Sequence, residues 1–126
     1  YAVTQIIHNF GAVAVVGGAA CALAWRDAEA QRRLALIVLI GWATQAASGA
    51  TFGAISYYHY GKFPDIHGAA MVALFVKMSC AALGFTLAAR QFFFHPTEAS
   101  SRYAWYTLFG LGALALSSAA VLRWFS

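Results

Sequence analysis

Hydrophobic residues in this chain fall into four long runs, separated by three short stretches where charge, proline and aromatic hydroxyls collect. The runs cover residues 4–25 (TQIIHNFGAVAVVGGAACALAW), 34–56, 67–89 and 103–125. A helix rises about 1.5 Å per residue, so roughly 20 residues cross a hydrocarbon core about 30 Å thick. Backbone N–H and C=O groups cannot be left unpaired in lipid, which makes each run a predicted helix. Short links between long helices make neighbours antiparallel. The expected fold is therefore all-α, an integral-membrane antiparallel four-helix bundle formed by one domain over residues 1–126.

The connections set the orientation. Residues 26–33 (RDAEAQRR) and 90–102 (RQFFFHPTEASSR) hold Arg26, Arg32, Arg33, Arg90 and Arg102, while the opposite side holds only Lys62 and Arg123. Cytoplasmic loops carry the Lys/Arg excess. The expectation is that both termini and the 57–66 loop (YYHYGKFPDI) lie on the non-cytoplasmic side of a bacterial-type inner membrane, crossed several times. Tyr57, Tyr58, Tyr60 and Trp124 would mark the outer boundary, and Trp25, Phe92, Phe93, Tyr103 and Trp105 the inner one. Pro96, Thr97 and Glu98 would separate the third helix from the fourth, with His95 in that loop.

Composition sharpens this picture. The chain is 62% hydrophobic and 10% charged, with a mean hydropathy of +0.67. Soluble domains carry about 25% charged residues. The net charge of +4 would normally raise nucleic acid as a partner. Here the basic residues sit at the ends of apolar runs without a basic face, so the charge is a topology signal and no nucleic-acid partner is expected. No secretory leader separates from the first run, and the start at Tyr1 rather than Met implies a short preceding piece. Cys21 and Cys80 form no CxxC or CxxCH spacing, which leaves covalent haem attachment and zinc ribbons unsupported. Both thiols read as small buried hydrophobes.

Candidate chemistry gathers around residues 57–77 and the first span. His8 lies about a turn and a half into helix one, and its face continues through Gly11 or Ala12, Val15, Gly18 and Ala22. Small residues there allow either close helix approach or room for a flat macrocycle beside an axial histidine. Ionisable groups inside a span default to a functional reading. His67, at the start of helix three, is expected at the depth of His8, so that the two imidazoles meet across the bundle and ligate haem iron. His59 is the rival second ligand, from the aqueous loop. Lys77 sits mid-span, where an unpaired ammonium costs about 2.5–3.5 kcal/mol. Its offset would be Gln45 or Ser48 on helix two, a haem propionate, a ligand bond or snorkelling. With no carboxylate inside any span, a carboxylate proton relay is disfavoured.

The remaining polar and small residues say less. Gly49-x-x-x-Gly53 predicts close helix packing, and Thr107, Ser117 and Ser118 on helix four read as packing. Met71, Met78 and Cys80 offer soft ligands for copper, although Met78 and Cys80 point to different faces.

Three stretches resemble a known family. IHNFGAVAVVGG opens the first span, SGATFGA closes the second and is followed by a Tyr-Gly-Lys turn, and the third carries an interior lysine in ALFVKMSCAALGFTLAAR. This is similar to the membrane domain of the copper-resistance protein D (CopD) superfamily, which includes the HemJ-type protoporphyrinogen oxidases, and more generally to b-type membrane cytochromes. The resemblance implies that His8 and Lys77 face the bundle interior at positions associated with haem. The charged signature of the oxidases is absent, so it implies haem binding rather than the oxidase reaction.

Three readings follow. The first is a haem-b-carrying electron-transfer subunit of a larger oxidoreductase, working between a membrane quinol and a periplasmic partner. It has no catalytic residue of its own, His8 and His67 on the metal, and His59, Lys77 and Gln45 around the cofactor. The second is a copper transport or delivery protein. The third is a cofactor-free accessory subunit of a membrane complex.

Overall fold

The computed structural model describes residues 2–62, 66–94 and 96–125; His95 and the Pro64–Asp65 part of the predicted loop lie outside the described residues. Four helices account for nearly all of it: α1 (Ala2–Ala24), α2 (Ala28–Tyr60), α3 (Ala69–Phe93) and α4 (Glu98–Phe125). Each is long and apolar enough to cross a membrane.

α2 is longer than the apolar run that announces it. At its start, Asp27 caps the helix by accepting from the Ala30 N–H, and Glu29 sits favourably in the first turn. The predicted charged connection thus becomes helix. At its other end, Tyr57, Tyr58, His59 and Tyr60 continue the helix instead of forming an aqueous loop. Nothing in YYHY stops a helix, and the first residue that does is Gly61, whose φ of 65° supplies the left-handed cap. α3 starts at Ala69 rather than His67 and runs on to Phe93.

Each helix packs against two others: α1 and α3 both touch α2 and α4. Contacts between α1 and α2 run in opposite order. Gly11 faces Thr44 and Gln45, while Gly18 faces Val38 and the Leu34 carbonyl. Trp42 against Gly84 and Arg32 over Phe92 give the same opposed order for α2 and α3.

The interior is built from small residues. Gly11, Val15, Gly18, Ala19 and Ala22 are the buried stripe of α1, and Ala70, Ala73, Cys80, Gly84, Ala88 and Gln91 that of α3. Large apolar side chains such as Val3, Phe10, Val13, Phe75 and Leu83 face outward instead. Lipid tails are as apolar as leucine, so helices in a bilayer gain by close contact rather than by hiding bulk, and this inside-out distribution is what a bilayer favours. Cys80 is buried as expected, whereas Cys21 is exposed on the outer face of α1.

Polar side chains clasp the end of the fold that carries the 25–27 and 94–97 connections. Gln31 donates to the carbonyls of Ala22 and Trp25, and its own Oε1 accepts from Ser101 Oγ and Trp105 Nε1. Gln91 donates to the carbonyl and hydroxyl of Ser101. Trp105 is therefore a buried, hydrogen-bonded wedge at 1% exposure, not the boundary aromatic that its position at the edge of an apolar run predicts.

The glycines divide into two kinds. A Cβ on Gly84 would overlap the Trp42 indole, and one on Gly41 would crowd Val15, Ala14 and the Gly11 carbonyl. At Gly49 and Gly53 an added Cβ meets nothing within 4 Å, so the expected close-packing pair holds no helix within this chain. Gly84→Ala should lower stability by about 1–3 kcal/mol through overpacking. Gly49→Ala should be neutral or stabilising by up to about 1 kcal/mol, the helix-propensity difference. Thermal unfolding of both variants in one detergent checks that order.

Candidate functional site

His8 reaches into the fold from the first third of α1, on the same stripe as Gly11, Val15 and Gly18. α2 holds it from one side. Ser48 Oγ lies 2.6 Å from His8 Nδ1, and the Phe52 ring meets the imidazole edge-on at 5.7 Å. Gln45 Nε2 donates to the His8 backbone carbonyl, tying α2 to α1 at that turn. From the diagonally placed α3, Lys77 Nζ comes to 3.1 Å from His8 Nε2. Lys77 fills the gap between Ala73 and Cys80 in the buried stripe of α3, which is why its long side chain points inward.

Hydrogen-bond accounting fixes the tautomer. Ser48 has a single hydroxyl hydrogen, and it goes to the helix carbonyl of Thr44, with Gln45 O a longer second acceptor at 3.3 Å. Towards His8 the hydroxyl can then only accept, which places the imidazole proton on Nδ1. Nε2 keeps its lone pair and accepts from Lys77. A histidine held at Nδ1 is the arrangement used for metal ligation through Nε2, and here Lys77 Nζ occupies that Nε2 position. Lys77 has three N–H donors and gives one to His8, so two remain for an occupant of the space in front of it.

That space is a cavity of about 1510 Å³, lined by His8, Gln45, His59 and Lys77 together with largely apolar side chains of α2 and α3 and with Ala115 and Leu122 of α4. Gly49 and Gly53 lie in its wall, which accounts for the open space beside them. Four of the five residues singled out from the sequence thus border one cavity. The fifth, His67, is exposed, precedes α3 and is not among the lining residues. Lys77 lies eight residues into α3, roughly 12 Å from the helix start, so His8 meets that helix well below His67. The fold brings His8 to Lys77, not to His67. His59 lies eleven residues beyond Ser48 on α2, a rise of roughly 16 Å; it borders the far end of the cavity rather than the vicinity of His8.

Among the described residues no group of three or more His, Cys, Asp or Glu side chains is placed to hold a metal ion. A metal in this cavity would thus rest on one imidazole and on non-carboxylate neighbours, Met71 and Met78 among them. Comparison with family models, with curated proteins and with solved structures gives no match.

Sequence reasoning missed two parts of this site. Ser48 was legible as a polar residue of α2 on the face of Gln45, but not as the partner that orients His8. Phe52, one turn further along the same face, carried no signal beyond that spacing.

Nitrogen-15 spectra of the imidazole check the tautomer. The His8 proton should reside on Nδ1 in the native chain. In Ser48→Ala, which removes its acceptor, the Nδ1–H signal should diminish in favour of the Nε2–H form. A native spectrum with the proton on Nε2 would contradict the assignment.

Proposed function

We propose that this chain is a multi-pass membrane subunit that holds haem b in the α2–α3 cavity and passes electrons between a membrane quinol and a periplasmic partner. The observation that carries the reading is the His8 imidazole, held at Nδ1 by Ser48, with its Nε2 against Lys77 at the wall of a cavity of about 1510 Å³. The donor set fits such a group. His8 would ligate the iron once Lys77 Nζ leaves its Nε2, and His59 or Lys77, which both border the cavity, would hold the propionates. Gln45 fixes the backbone that carries His8. Haem, when bound, supplies one-electron transfer. The protein's part is to orient one imidazole, to supply hydrogen-bond donors to carboxylates, and to keep the surroundings apolar. This donor set departs from the expected pair of axial imidazoles, because His67 stands outside the cavity.

The membrane arrangement belongs to the same proposal. Five arginines on the side of the Gln31 clasp, against Lys62 and Arg123 on the other, put that clasp in the cytoplasm and both termini outside a bacterial-type inner membrane. The similarity to the CopD and HemJ-type proteins supports the same role for His8 and Lys77, and the likeness to b-type cytochromes supports a redox partner in another subunit.

Protein purified from haem-replete cells should show a Soret band, with split α and β bands after dithionite reduction. His8→Ala should lose most of the bound haem, while Lys77→Met should retain part of it with an altered spectrum. Colourless native protein would refute the proposal.

A second reading rests on Met71 and Met78, which border the same cavity as His8. Thioether and imidazole together suit Cu(I). It requires near-stoichiometric copper in the native protein, lost in the double variant Met71→Leu, Met78→Leu, with no porphyrin absorbance.

A further inference from the structure

Positive charge at the clasp end exceeds the acid available to balance it. Arg26, Arg32, Arg33, Arg90 and Arg102 stand there against Asp27, Glu29 and Glu98. Two of the three acids are already engaged: Asp27 caps α2 through the Ala30 N–H, and Glu29 pairs with Arg33 at 3.0 Å. No other arginine has an ion-pair partner among the described residues.

Three of the unpaired guanidiniums are nevertheless held in place, each by a neutral group. Arg32 of α2 lies over the Phe92 ring of α3, 5.3 Å from its centroid. Arg90 of α3 donates from Nη2 to Ser100 Oγ of α4 at 3.1 Å. Arg102 lies over the Tyr106 ring one turn along α4, at 5.9 Å. A ring or a hydroxyl orients a guanidinium without neutralising it, and takes at most one of its five N–H donors. The fork at the edge of each group stays available for a phosphate oxygen pair.

The surroundings decide which phosphate. Trp25, Phe93, Phe94 and Tyr103 are all at least 60% exposed at the same end. Aromatic side chains beside arginines are the composition of a bilayer interface. A water-soluble anion has no use for such a surround. A phospholipid does, with its headgroup against guanidinium and its acyl chains against the rings and the apolar faces beyond them. A choline headgroup carries its own cation beside the phosphate, which the uncompensated arginines repel; a glycerol headgroup carries none. In the membrane arrangement proposed above, on which this inference rests, these groups lie at the level of the lipid phosphates.

We propose that the clasp end selects anionic phospholipid, with phosphodiesters held by Arg32 at the α2–α3 junction and by Arg90 at the α3–α4 junction. The cavity takes no part in it.

Native mass spectrometry tests this on the native chain, stripped of lipid in detergent and offered equal amounts of phosphatidylglycerol and phosphatidylcholine. Phosphatidylglycerol should be retained in preference. The preference should fall roughly fivefold in Arg32→Gln and as much again on adding Arg90→Gln, the effect expected of one arginine near a charged surface. Arg32→Lys keeps the charge without the stacked fork and should lose part of the preference. Lys62→Gln with Arg123→Gln removes two charges from the opposite end and should lose none. Circular dichroism confirms that every variant folds. Equal retention of the two lipids by the native chain, retention of neither, or the same loss in the Lys62 and Arg123 variant overturns the proposal. So does displacement of the lipid by inorganic phosphate at equal concentration. The Soret absorbance of the same samples keeps the haem reading separate: selective retention by colourless protein supports the lipid site and refutes haem, and unselective retention by haem-loaded protein does the reverse. A chain that stays dispersed once the detergent is removed sinks the membrane arrangement and this site together.

Discussion

Helices surrounded by lipid have no hydrophobic force pulling them together, so this fold depends on how closely their backbones approach. Gly11, Gly18 and Gly41 let α1 and α2 cross tightly, Gly84 seats the Trp42 ring between α2 and α3, and Gly112 admits Val15 and Val16 of α1 against α4. A methyl group would collide at Gly18 and Gly84 and would be crowded at Gly11, Gly41 and Gly112. Apart from Trp42, Trp105, Leu108 and Val38, which are buried, many of the large apolar side chains lie on the outside, where a bilayer would supply their contacts.

Where that close contact ends, the cavity begins. α2 and α3 touch at Trp42 and Gly84, and towards His59 their separation widens around the uncrowded Gly49 and Gly53. The polar residues follow the same division. Gln31, Ser101 and Trp105 bond one another and the helix ends at the closed end, joined there by the Gln91 Nε2 donor. His8, Ser48 and Lys77 form a chain across the diagonal just where the helices part. That chain joins α3 to α1, two helices that otherwise do not pack against each other. It is a structural strut whether or not anything is bound beside it.

Much of the fold was legible in the amino-acid pattern, because length and hydropathy decide helix existence in lipid almost by themselves. All four helices fall on the predicted runs. Their ends were less legible: caps such as Asp27 and Gly61 lie outside the apolar runs, and YYHY has no breaker of its own, so α2 extends past both predicted boundaries. The inward stripe of α1 followed from spacing, as did the importance of Lys77. The partner of His8 did not, because side-chain pairing across a bundle depends on helix offset, which no single helix encodes. His67 looked equivalent to His8 by its distance from a helix end, but two residues of non-helical chain and a lysine long enough to reach from deeper in α3 decide otherwise. Gly49 and Gly53 show the same limit, since a small-residue motif reports permission for close approach and not its occurrence.

The glutamine clasp gives the molecule uneven stiffness along its length. Side-chain amides knot one extremity, whereas towards the other the described cross-helix hydrogen bonds are those that tie His8 to Ser48, Gln45 and Lys77. A guest between α2 and α3 would have its room on the side of Gly49 and Gly53, where an added Cβ meets nothing.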